Sequence, residues 1–336
     1  MNSNFYFSNE EYKQKALDLK PMEKTDISPV DAFFLLIEGV GFHDLDLYCE
    51  TIAKRTDMGL TGEQVYRLIQ NPTKLKSEDK DLFFEIAKIT NPMGSHIINV
   101  GNGIIINTSS WINHSLNVAE SSRVLCSLLK DCDTNTAYVS GLFHDIGRKF
   151  KTNMQHTIAG FEYLVDKGYE NEARICLTHS HIHGERCANN EPAVDGWSCV
   201  EGNSVWDDEV PTDDLTEFLQ NCEYSTYDDI LTIVDLIATE NGVVSLCERL
   251  KDIASRRKID EKNRKFFFAE TINIINEFFV KAGIKTNYTV IKAIDSISLE
   301  EMEIKLSVIS NELFEVYKQA VIKEQQFNNS DSSYKI

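Results

Sequence analysis

Six residues of the kinds that bind metal ions or move protons occur in one order along the chain: His114, His144 with Asp145, His156, His179 and Asp235. In W-I-N-H-S-L-N-V-A-E-S-S-R-V-L, His114, Val118, Ser121/Ser122 and Leu125 share one helical stripe, so His114 points toward a core. G-L-F-H-D-I-G-R-K-F sets His144 and Asp145 at the end of an apolar run and follows them with Gly147. Neighbouring helical residues point about 100° apart, so such a pair converges on one ion only near a helix end or bend, which a glycine permits. His156 opens a helix four residues before Gly160, and His179 closes an apolar one. Asp235 shares a face with Leu231, Val234 and Ala238. A lone carboxylate on an apolar stripe demands a partner, because an unpaired buried charge costs several kcal/mol, and a metal cation would meet that demand.

Taken singly, each has a plainer reading. His114 could be a hydrogen-bonded core histidine, His156 the start of a helix, and His179, His181 and His183 a solvated turn. Asp235 could pair with Arg249. The dipeptide itself recurs at His43-Asp44, where no glycine stands at the matching place and no ligand set surrounds it. The common order and placement of the six residues, rather than any one of them, points to a shared site.

The elements that must position these residues are helical. V-D-A-F-F-L-L-I-E, E-Q-V-Y-R-L-I, D-L-F-F-E-I-A-K-I, F-E-Y-L-V, D-D-I-L-T-I-V-D-L-I and I-N-I-I-N-E-F-F-V all carry apolar residues at i, i+3, i+4 spacing. Ser28-Pro29 and Thr61 with Gln64 are cap signatures. The one strand candidate is H-I-I-N-V-G-N-G-I-I-I-N, a short hairpin turning at Gly101-Asn102-Gly103. The expected organisation is all-α: a helical region over residues 1–95, a hairpin junction at 96–107, a larger helical domain over 108–327 and a frayed tail at 328–336. Residues 184–215 are polar, acidic and rich in Gly, Pro and Asn, and read as a long loop.

At 336 residues the chain can bury a substantial core. No run of about 18 apolar residues occurs, and the N-terminus lacks the basic and apolar regions of a secretory signal, so a cytosolic protein without membrane attachment is expected. The net charge of −19 repels nucleic acid and anionic lipid, which leaves a small phosphorylated ligand held by local cations. The eight cysteines are scattered without a C-x-x-C pair and are expected to be reduced structural thiols.

The order His, His-Asp, His, His, Asp resembles the HD-domain superfamily of metal-dependent phosphohydrolases, whose defining pattern is H…HD…D. The match runs through H-S-L-N-V-A, L-F-H-D-I-G-R, H-T-I-A-G, L-T-H-S and I-V-D-L-I-A, over roughly residues 110–255. The resemblance implies an all-helical core with a divalent metal held by His114, His144, Asp145 and Asp235. It also implies His156 and His179 as ligands of a second ion, with Asp145 bridging the two. Imidazoles with carboxylates suit a divalent transition metal, iron or manganese first, then zinc, nickel or cobalt, and do not resemble a calcium cage. The implied reaction is attack of a metal-activated water on a small phosphorylated substrate, with a nucleotide as the leading class. Asp145, Arg148 and Lys149 are the expected catalytic residues, with Arg148 and Lys149 placed to grasp phosphate and Arg186 and Arg249 as further candidates.

Departures from the family's subgroups narrow the substrate. Asp145 is followed by I-G-R-K-F-K and not by the x-x-x-E-D of enzymes that hydrolyse the alarmone (p)ppGpp. The G-Y-P signature of cyclic-di-GMP phosphodiesterases is absent: the doubled histidine expected there is His179-Ser180-His181, with G-E-R downstream. Two rivals stay open: a mixed-valence di-iron oxygenase using the same six ligands, and a non-catalytic sensor of metal or nucleotide. Residues 1–95 match no recognisable family, and dimerisation of the chain or gating of substrate are the roles open to them.

Overall fold

A computed structural model of the chain describes residues 7–56, 59–88, 110–151, 155–180, 215, 218–219, 221–256, 261–286, 288 and 290–332. The expected hairpin at 96–107 lies outside the described residues, as do His181, His183, Arg186 and nearly all of the loop at 184–215. Among the described residues the architecture is all-α, with thirteen α-helices and one two-stranded antiparallel ribbon. No helix among them is long and apolar enough to cross a membrane.

Local chemistry sets the helix starts. Five helices come first: α1 (Glu10–Leu17), α2 (Pro29–Ile37), α3 (Phe42–Thr56), α4 (Gly62–Ile69) and α5 (Ser77–Lys88). Ser28 caps α2 by accepting from the Asp31 amide, with Pro29 in the first turn, and Thr61 with Gln64 forms a reciprocal capping box on α4. The second set is α6 (Ser110–Cys126), α7 (Thr134–Phe143), α8 (His156–Asp166), α9 (Glu170–Thr178) and α10 (Thr226–Asp235). Asp133 caps α7 and a Ser225–Asp228 box caps α10. After the ribbon of β1 (Ala238–Thr239) and β2 (Gly242–Val243) come α11 (Leu246–Arg256), α12 (Glu261–Lys281) and α13 (Leu299–Ser332). The last helix runs on through residues 328–332, part of the segment expected to fray.

One apolar core links both halves of the chain. Phe33 and Phe84 of the first helices pack tilted at 5.7 Å, and Phe84 meets Tyr138 of α7 edge-on at 5.8 Å. The Thr25 amide donates to Thr136 Oγ1, and Tyr12 Oη to Asp166, so residues 7–88 sit on the second set through polar as well as apolar contacts.

Helices α6 and α7 cross closely because Gly141 has no side chain. A Cβ there would stand 2.3 Å from Ala119 Cα, so only glycine lets the backbones approach this far. That crossing brings His114 on α6 beside His144 at the end of α7.

The cysteine expectation needs one correction. Cys126 and Cys132 are joined by a disulfide, their Cα atoms 5.5 Å apart across the α6–α7 connection. The chain turns back there at Leu128 and Leu129, folding Cys132 against the end of α6, which spacing alone did not reveal. Cys49, Cys176, Cys222 and Cys247 are free thiols.

Candidate metal centre

Five helix ends or faces deliver the six ligand-type side chains. His114 projects from the first turns of α6. His144 caps α7 in helical conformation (φ −51°, ψ −42°), and the chain leaves the helix at Asp145 (φ −104°, ψ 12°). That change of conformation lets two adjacent side chains aim at one place despite the helical period. A short 3₁₀ turn, Ile146–Lys149, follows. It lies hard against α8, since a Cβ on Gly147 would come 1.9 Å from the His156 carbonyl oxygen. His156 opens α8, His179 caps the end of α9, and Asp235 is the last residue of α10.

The side chains form two triads, His114–His144–Asp235 and Asp145–His156–His179, the ligand atoms of each lying within 4.8 Å of one another. In the first, His114 Nε2 stands 2.9 Å from Asp235 Oδ1 and 3.2 Å from His144 Nε2. In the second, His156 Nε2 lies 2.9 Å from Asp145 Oδ1 and 3.3 Å from His179 Nε2. Asp145 belongs to both: its Oδ2 is 3.6 Å from His144 Nε2 and 3.9 Å from His114 Nε2, while its Oδ1 faces His156 and His179.

Tautomers sharpen the picture. His144 Nδ1–H donates to the Gly141 carbonyl at 2.7 Å, and His179 Nδ1–H to the Ile175 carbonyl at 3.1 Å. Each therefore turns a bare Nε2 lone pair inward, toward another imidazole nitrogen. Burial lowers the pKa of His144 and drives that of His179 far down, with neighbouring imidazoles adding to both effects, so both rings are neutral. The two carboxyls stay ionised. Burial opposes this, but the Arg148 guanidinium holds Asp145 well below the usual carboxylate range, and the His114 hydrogen bond does the same for Asp235. Burial also works against a charge on His114, yet the Asp235 hydrogen bond and the two carboxylates raise its pKa.

Converging lone pairs, the buried carboxylate of Asp145 and the partly exposed one of Asp235 make a group of side chains that could hold a cation. Asp145 Oδ1 is buried without a hydrogen bond of good geometry, which a metal–oxygen bond would remedy. All six donors are imidazole nitrogen or carboxylate oxygen, a set suited to a divalent transition ion.

The flanking candidates separate. Arg148 reaches the cluster, its Nε donating to Asp145 Oδ2 at 2.5 Å. Lys149 turns away: Nζ donates to the Leu35 carbonyl at the end of α2 at 2.6 Å and sits 4.7 Å from the Tyr163 ring centre. Arg249 pairs with Asp252 rather than Asp235. His43 and Asp44 are exposed on α3.

One supporting network was not anticipated. Asp228, buried on α10, accepts from Thr178 Oγ1 at 2.6 Å and from the Ser225 amide and hydroxyl, each at 2.7 Å. Arg174, fully buried, lies 3.6 Å from the same carboxylate and donates to the Lys20 and Glu223 carbonyls. Thr178 precedes His179, and Asp228 lies two helical turns before Asp235, so the knot ties together helices that supply one ligand to each triad. A second aspartate seven residues upstream on the same face was the available sequence signal.

Residues 111–215 match the family model of the HD domain. Five of the six clustered residues lie within the match, and Asp235 follows it, brought in by α10. No curated protein and no solved structure matches the chain.

Proposed function

We propose that the chain hydrolyses a small phosphate ester or anhydride, with a nucleotide as the substrate class, at a two-ion centre held by His114, His144, Asp145, His156, His179 and Asp235. The observation that carries this reading is Asp145, whose two oxygens face separate histidine groups. Divalent ions bound there supply Lewis acidity that acidifies a water and offsets charge on a phosphoryl oxygen.

The chain's own residues provide the rest. His144 and His179, anchored through Nδ1 to backbone carbonyls, keep Nε2 available as donor atoms. Arg148 orients Asp145 through Nε, and its planar guanidinium is of the type that suits phosphate, so it is the cation assigned to the substrate. Lys149 is proposed instead to anchor the 3₁₀ turn to the N-terminal helices. That contact supports a gating role for residues 1–95, since α2 reaches the segment next to Asp145.

The test is anaerobic phosphate release from a panel of nucleotides and phosphoesters, with manganese or another redox-silent ion supplied. Turnover without oxygen supports hydrolysis. Failure with every metal and substrate tried, together with iron-dependent oxygen consumption, would assign the same six ligands to an oxygenase.

A further inference from the structure

The two triads are enclosed very unequally. The side chains of Asp145, His156 and His179 are 3%, 0% and 2% exposed. In the other triad His144 is fully covered, but His114 is 15% and Asp235 27% exposed. Arg148, bonded to the Asp145 oxygen that faces His144 and His114, is 33% exposed. Among the described residues of the cluster, solvent therefore meets the edge made by His114, Asp235 and Arg148.

The closed side is closed by rigid parts. His156 lies under the backbone of the 3₁₀ turn at Gly147, and His179 is tethered by Nδ1 to its own helix. Asp235 ends its helix at the partly exposed edge, its carboxylate bonded to His114 and 27% exposed.

We infer that the triads have different tasks: His114–His144–Asp235 is the exchangeable seat that takes an anionic ligand of the phosphate class, and Asp145–His156–His179 is a closed seat whose ion exchanges slowly and takes none. A ligand can displace or join an ion only along a path to it, and among the described residues of the cluster the exposed ones lie at the His114–His144–Asp235 seat. Arg148 adds a positive charge on that path. This rests on the two-ion reading above, and the test separates the two.

Protein loaded with cobalt(II) is mixed with excess EDTA, and ion release is followed in time. Two phases of equal amplitude are expected, with rates at least about tenfold apart, the slower ion needing a structural opening to leave. His114→Ala and Asp235→Asn should each remove or further speed the fast phase and spare the slow one, whereas His156→Ala should remove the slow phase. Inorganic phosphate should shift the visible cobalt spectrum of the fully loaded wild type and leave unchanged the spectrum of wild type stripped of its fast ion. A single release phase from two bound ions overturns the inference while leaving the two-ion reading intact. So does a phosphate-induced shift in the half-stripped protein. Binding of one ion or none overturns both.

Discussion

His144 Nε2 faces His114 Nε2 at 3.2 Å while the far nitrogen of His144 is bonded to the Gly141 carbonyl. Without an ion, His114 Nε2–H is held toward Asp235, whose hydrogen bond raises the His114 pKa against the opposing effect of burial. A raised folded-state pKa means that this proton stabilises the metal-free fold below the ordinary histidine range, and that its contribution is lost as pH rises through the raised value. Metal binding has the opposite sign because the ion must displace the proton, so affinity rises with pH by about tenfold per unit over that window. The thermal shift produced by a fixed manganese concentration should therefore be larger at pH 8 than at pH 6. An equal shift at both would show that His114 gives up no proton.

Ligand substitutions should separate the triads from the look-alike pair. Asp145→Ala, which removes the only residue shared by both, should abolish metal content by elemental analysis, and His144→Ala should do the same. His156→Ala or His179→Ala should bring two ions toward one. His43→Ala, altering an exposed residue on α3, should leave the content unchanged, and equal loss there would overturn the assignment.

Gly147 and Gly168 offer a matched pair of glycine tests. A methyl at Gly147 would collide with the His156 carbonyl at 1.9 Å, whereas Gly168 has open space and only its positive φ of 83° to strain. Gly168→Ala should lower the urea midpoint by the equivalent of about 1 kcal/mol and keep its metal. Gly147→Ala should cost at least the upper part of the overpacking range of about 1–3 kcal/mol, because backbone cannot yield as a side chain can. It should also lower metal stoichiometry, since the displaced segment carries His156. Matching losses in the two variants would show that the close contact is not essential.

The helices and the clustering of the six His and Asp residues were legible in the sequence for the same reason: both are written in periodicity. Apolar stripes marked the helices, and histidines or carboxylates on those stripes, or at their ends, marked the cluster. Thr61 with Gln64 and Ser28 with Pro29 were readable because caps are local. What stayed hidden depends on distance in space. The separate destinations of Arg148 and Lys149 follow from a tight 3₁₀ turn that throws neighbours to opposite sides. The Cys126–Cys132 bridge depends on how one connection folds back, and the Asp228 knot on three segments meeting.

Lys149 gives a pH effect distinct from that of the ligands. Burial, partly offset by Glu38, pulls its pKa from 10.5 down to about 7. Between those values the unfolded chain binds the extra proton, so stability rises with pH across that window. Relative to Lys149→Met, the wild type should gain stability from pH 7 to pH 10 in urea titrations. A constant difference between the two would mean that this ammonium is not desolvated.

The Asp228 knot separates fold stability from site geometry. Asp228→Ala leaves the buried Arg174 guanidinium without its carboxylate, a loss for which about 3–5 kcal/mol is typical. Thr178→Val removes one hydrogen bond, worth about 1.5–3 kcal/mol when its acceptor is charged. Both changes act where α9 and α10 are joined, next to His179 on one helix and two turns before Asp235 on the other. Thr178→Val should therefore keep the fold at room temperature yet weaken binding of the ion held by His179, and Thr178→Ser should restore it. If Thr178→Val lowered the unfolding midpoint but left affinity for both ions unchanged, the knot would be a fastening of the fold alone, and the placement of His179 would rest on its own bond to the Ile175 carbonyl.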